Sequence, residues 1–83
     1  MEIETKYSLG QQVYLISPGF RNHWQIINSG KICRIVIDIW RGLDEPGIEY
    51  ELITTYGPIT EQYFWPSEQE AQTECNRRNN AKV

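Results

Sequence analysis

Five β-branched residues stand within the ten positions from Lys31 to Trp40: Ile32, Ile35, Val36, Ile37 and Ile39. Branching at Cβ crowds the preceding turn of a helix but suits a pleated surface, so this segment reads as a strand. Alternation places Cys33, Ile35, Ile37 and Ile39 on an inward apolar face, and Arg34, Val36, Asp38 and Trp40 on the other. Ile32 falls out of phase, which predicts a β-bulge near Cys33 and Arg34.

Such a strand needs neighbours on both edges. Gln11 to Ser17 supplies one, with Val13 and Leu15 on one face and Gln12, Tyr14 and Ile16 on the other. Ser17-Pro18-Gly19 then signals a turn that opens a loop to His23. Trp24 to Ile27 reads as a short extended piece and Asn28-Ser29-Gly30 as a second turn. Beyond a Gly-, Asp- and Pro-rich turn from Arg41 to Gly47, Ile48 to Thr54 forms the next strand, with Ile48, Tyr50 and Leu52 inward. Gly57-Pro58 leads into a short strand or turn from Ile59 to Phe64.

The register of the central hairpin is predicted from charge as well as from alternation. A one-residue slip would turn a whole apolar set to solvent. Of the registers that keep both apolar sets inward, two place Asp38 opposite Glu49 or Glu51. The third pairs Ile37 with Ile48, Ile35 with Tyr50 and Arg34 with Glu51, and avoids the like-charge contact. That register is expected, with the bulge shifting its lower end by one.

Ser67-Glu68-Gln69-Glu70 is a capping box, preceded by Pro66, and predicts a helix from Ser67 to about Arg78. Its first turn is acidic and its last basic, which complements the helix dipole. Its apolar stripe is little more than Ala71 and Cys75, so the helix is expected as a lid that cannot stand alone.

Eighty-three residues make one domain, one that buries only about 60% of its unfolded surface and has little room for a deep catalytic cavity. No apolar run approaches the roughly 18 residues of a membrane-spanning helix, and the first residues carry no apolar stretch of signal-peptide type. A cytoplasmic location is expected, with both cysteines reduced and buried. One His and two distant Cys cannot supply a zinc site. His23 is the only conventional base, and Cys33, placed inward, is expected as a core thiol and not as its nucleophilic partner. The glycines are isolated turn residues, with no phosphate cradle. Neither enzymatic activity nor a cofactor is expected.

The aromatics are the better candidates for function. Five Tyr, three Trp and two Phe are more than a small core hides. Tyr50 and Phe64 are expected to be buried. Phe20, Trp24, Trp40, Tyr56 and Trp65 fall in loops or at strand ends, as a binding patch or as caps on the open ends of the fold. Charge is unevenly laid out: Gly42 to Asn76 holds eight acidic residues and no Lys or Arg. This is either an ordinary solvated surface or an acidic face that attracts a basic partner and repels nucleic acid.

The pattern as a whole resembles the SH3-like small β-barrels, KOW- and Tudor-like in shape, of short bacterial and phage proteins. The matching features run from Leu9 to Asn79: Gly30-x-Ile32-x-x-Ile35, Tyr50-x-Leu52, Ile59-x-Glu61-x-Tyr63-Phe64, and the helix opening at Ser67 with Ala71 inside it. The resemblance implies a mainly β fold, a small antiparallel barrel closed by a C-terminal helix. It says little of function, and the basic, Gly-rich KOW loop is replaced by an acidic segment. The expected function is binding of a partner protein through the aromatic patch and its acidic flank, as a regulator or inhibitor of a host machine. The alternative is a nucleic-acid-binding accessory domain, in which the aromatics stack on bases and Arg21, Lys31, Arg34 and Arg41 contact phosphate.

Overall fold

A computed structural model describes residues 4–39 and 47–81. Within them run β1 (Gln12–Pro18), β2 (Trp24–Asp38), β3 (Gly47–Leu52), β4 (Ile59–Thr60), β5 (Phe64–Trp65) and α1 (Glu68–Asn80), with 3₁₀ turns at Phe20–Asn22 and Glu61–Tyr63. The strands are antiparallel and lie in the order β4-β3-β2-β1-β5. The fold is therefore mainly β: an unclosed sheet with one C-terminal helix.

β2 is the spine. Its first half pairs with β1 and its second half with β3. It runs unbroken through Asn28-Ser29-Gly30, where the sequence predicts a turn. Each of these residues is paired to β1, opposite Leu15, Tyr14 and Val13. Their other edge is held by Thr54, whose carbonyl accepts from Asn28 Nδ2 at 3.1 Å and whose Oγ1 donates to the Ser29 carbonyl at 3.1 Å. Gly30 serves close approach, not chain reversal: a Cβ there would lie 3.0 Å from Thr54 Oγ1.

The central hairpin has the register expected from charge. Ile37 faces Ile48, Val36 faces Glu49, Ile35 faces Tyr50 and Arg34 faces Glu51. The pairing then slips so that Ile32 faces Leu52, and the bulge falls at Cys33. This corrects the placement of Cys33. The extra residue turns its side chain outward, so Cys33 is exposed and Ile32 takes the core position. The Cys33 thiol donates to the Glu51 carbonyl at 3.3 Å.

A second correction concerns the far end of the same face. Ile37 is 40% exposed and Ile39 more so, because the hairpin projects past the core that its alternation points toward. Ile37→Ala therefore removes much less buried surface than a core truncation would.

Two apolar layers lie on opposite faces of the sheet. Val13, Leu15, Ile32, Tyr50, Leu52 and Phe64 form the larger one with Tyr7. Ile16, Ala71 and Cys75 form the smaller one, packed with Tyr14, Trp24, Ile26 and Trp65. Alternation along β1 sends Leu15 into the first layer and Ile16 into the second. The helix covers the face that Ile16 lines, with both residues of its thin stripe fully buried. Ser67 is its N-cap, with Oγ accepting from the Glu70 N–H at 3.2 Å, a contact worth about 1 kcal/mol.

Across the open side of the sheet, Tyr7 links β3 to β5. Its N–H donates to Tyr50 Oη at 3.2 Å and its own hydroxyl donates to the Phe64 carbonyl at 2.8 Å. Tyr50 Oη in turn donates to the Glu61 carboxylate. The Tyr50 ring meets those of Tyr7 and Phe64 edge-on, with centroids 5.4 and 5.6 Å away. Burial, reinforced by the Glu61 carboxylate, pushes both tyrosine hydroxyls up to about 12.

Candidate functional site

The four described members of the predicted aromatic set fall in different settings. Trp24 and Trp65 lie half-buried in the helix-covered layer. Trp24 is the more elaborately held. Asn79 of the last helical turn accepts from its N–H at 2.7 Å and donates to its carbonyl at 3.0 Å, as a neighbouring strand would. The Arg78 guanidinium lies 4.2 Å from its ring centroid, and Tyr63 stacks against it at 6.3 Å. Trp65 has the Lys6 ammonium 5.5 Å from its ring. These two rings do the work of sealing the helix onto the sheet. Tyr56 stands fully exposed in the turn after β3, and Phe20 is 84% exposed in the β1–β2 loop. Trp40 lies outside the described residues, as do Arg41, Asp44 and Glu45.

The apolar concavity forms elsewhere. A groove of about 370 Å³ is lined by Leu15, Ile16, Ser17 and Pro18 of β1, Ile27 of β2, and Ile59 and Tyr63. A pairing slip shapes it: Ile16 faces Ile26 whereas Leu15 faces Asn28, leaving Ile27 as the extra residue, 51% exposed. The signal in the sequence was the Ile26-Ile27 doublet, which strict alternation cannot bury on a single face. Ile59 and Tyr63 carry no such signal, because they border the second 3₁₀ turn, which splits the expected segment in two.

The loop that leaves this groove at Pro18 is tightly determined. Gly19 N–H donates to the His23 carbonyl at 2.8 Å, and Asn22 N–H to the Gly19 carbonyl at 3.1 Å. Arg21 and Asn22 both adopt the left-handed conformation at φ 57°, which costs a residue such as Arg about 1 kcal/mol or more. The Arg21 guanidinium sits 5.3 Å from the Phe20 ring centroid.

Among the described residues of the acidic stretch, three carboxylates are spent on internal contacts. Glu51 pairs with Arg34 at 3.0 Å, and Glu61 accepts from Tyr50 and from the Lys6 N–H. Glu74 is bonded by Arg77 and by Arg78. Glu49 is different: the Asp38 carboxyl beside it raises its pKa.

The two arginines hold the Glu74 carboxyl down at about 2. Its contribution to stability is thus present above its ordinary value of 4.5 and is lost as the pH falls toward 2. Glu74→Gln is expected to cost less than about 1 kcal/mol at pH 7. Urea midpoints of the two proteins should converge on acidification. A gap that widens would mean that the arginines do not stabilise the anion.

The described members of the basic group lie in different parts of the fold. Arg21 lies in the β1–β2 loop, Lys31 and Arg34 lie in the middle of β2, and Arg34 is occupied by Glu51. His23 and Cys33 are separated by about 30 Å of extended strand. Among the described residues no three or more His, Cys, Asp or Glu side chains cluster as metal ligands, and no helix is long and apolar enough to cross a membrane. Comparison of the chain with protein families, with curated proteins and with solved structures finds no match in any of the three.

Proposed function

We propose that this chain is a non-enzymatic protein-interaction domain that receives a partner's apolar side chains in the groove between β1, the Ile27 bulge and the Ile59–Tyr63 segment. The observation that carries this reading is the groove itself, an apolar concavity open to solvent. Covering an aliphatic side chain completely is worth roughly 1.5–3 kcal/mol, and Ile27 keeps about half of its surface free for that gain. The exposed Phe20, two residues beyond Pro18 in the chain, is a candidate second anchor, aromatic like many that dominate interfaces. The strand order, the 3₁₀ turn ahead of β5 and the Tyr7 link across the open side support a small SH3-like barrel as the scaffold.

Nucleic acid is the weaker reading, since Arg34 is paired with Glu51 and the domain is acidic overall. In a pull-down from the native host, wild-type protein is expected to retain a partner that Ile27→Asp loses and that Ile53→Asp, at an exposed site that does not line the groove, keeps. Anisotropy titrations with single-stranded and duplex DNA complete the test. Affinity tighter than about 1 μM near 150 mM salt, falling steeply with added salt, would replace this reading with the nucleic-acid one.

A further inference from the structure

The arm of the central hairpin carries an open strand edge. β1 stops pairing with β2 at Lys31, and the next residue, Ile32, is bonded to Gly10 and Gln11. β3 takes the opposite edge, where the Ile53 N–H donates to the Lys31 carbonyl. From Cys33 to Asp38, no strand among the described residues lies along the edge of β2 away from β3. Every second residue presents its N–H and C=O along such an edge, a template for another strand. The apolar face of this arm is open as well: Ile37 is 40% and Ile39 68% exposed. Ile35, Ile37 and Ile39 include none of the charges or prolines that blunt a free edge. On the other face, Asp38 has the Glu49 carboxyl beside it.

We infer that β2 pairs along this edge with β2 of a second copy, antiparallel about a two-fold axis at Val36. A two-fold normal to the sheet keeps each face in register with itself. Ile35 then lies opposite the second copy's Ile37, and the isoleucines of both arms join into one apolar stripe. Charge selects the centre. An axis at Val36 sets Asp38 opposite the second copy's Arg34, twice over, whereas axes at Ile35 or Ile37 set it opposite Ile32 or Val36. Arg34 keeps its bond to Glu51, made through one nitrogen; a guanidinium has five N–H donors and bridges two carboxylates. None of the groove's lining residues takes part, so this surface is separate from the one proposed above.

Sedimentation equilibrium of the full chain, up to about 1 mM for so small an interface, tests this. Wild-type protein and Ile27→Asp should both show a reversible monomer–dimer equilibrium. Ile37→Lys should be monomeric, and Asp38→Arg, which opposes two arginines, should dimerise about tenfold more weakly. Circular dichroism confirms that each variant is folded. The register is read by mild oxidation in a Cys33→Ser background, where Cys75 stays buried. Val36→Cys should link the copies by a disulfide more readily than Ile35→Cys or Ile37→Cys. A chain that stays monomeric throughout, or a dimer indifferent to Ile37→Lys, would overturn the inference and leave the groove reading standing. Loss of the dimer in Ile27→Asp would overturn it by placing the contact in the groove, and preferred linkage at position 35 or 37 would overturn the Val36 axis.

Discussion

Tyr50→Ala is expected to destabilise the domain by roughly 3–5 kcal/mol, the range for emptying a large aromatic site in a packed core. Tyr50 is fully buried and its ring holds Tyr7 and Phe64 edge-on. A domain of this size has on the order of 4–12 kcal/mol in total, so the variant should be partly unfolded without denaturant. Tyr50→Phe separates ring from hydroxyl. It keeps the packing but leaves the Tyr7 N–H and the Glu61 carboxylate short of a partner, at a cost of about 1–3 kcal/mol. Urea midpoints rank the variants, and Ile37→Ala should be milder than either. If Ile37→Ala cost more than Tyr50→Ala, the core would lie at the other end of the hairpin.

Ala71→Asp should be comparably damaging by another route. Ala71 has no exposed surface and sits in the seam between the helix and Ile16. A carboxylate there is buried among apolar groups, and an uncompensated buried charge costs roughly 3–5 kcal/mol. The helix cannot persist undocked, since thirteen residues are marginal for an isolated helix in water. Far-UV dichroism should lose its helical component, and Trp24 and Trp65 emission should shift to longer wavelength as their cover departs. Retained helical signal with unshifted emission would show that this face is not where the helix is held.

What the sequence disclosed and what it concealed divide along a physical line. The hairpin register was legible because Asp38, Glu49, Glu51 and Arg34 add charge to an alternation that already excludes half the alternatives. The helix was legible from its own first turn, Ser67 to Glu70. Both are local signals. The path of β2 through Asn28-Ser29-Gly30 is not legible, because turn-forming residues lie in strand when β1 pairs one edge and Thr54 holds the other. Cys33 and Ile32 were exchanged because alternation announces a bulge without saying which residue it ejects. The different settings of the candidate aromatics are concealed for a related reason. Composition shows a surplus of aromatics, but Trp24 is distinguished from Phe20 by partners remote in sequence, Tyr63, Arg78 and Asn79, the last fifty-five positions away.

That last separation governs how the chain reaches its native state. The contacts that fix the helix and the N-terminal segment, Trp24 with Asn79 and Tyr7 with Phe64, close loops of 55 and 57 positions. Hairpins form within roughly 1–10 μs, so β1–β2 and β2–β3 are placed to assemble early around their shared strand. Both long closures must be met before Trp24 or Tyr7 gains its partners, which puts the domain among the slow, non-local folders of the millisecond-to-second class. Until then the second apolar face stays wet, and Ile16, Tyr14 and Ile26 are open to intermolecular association. The rate-limiting hazard for this protein lies in that interval, between a finished sheet and an arriving helix.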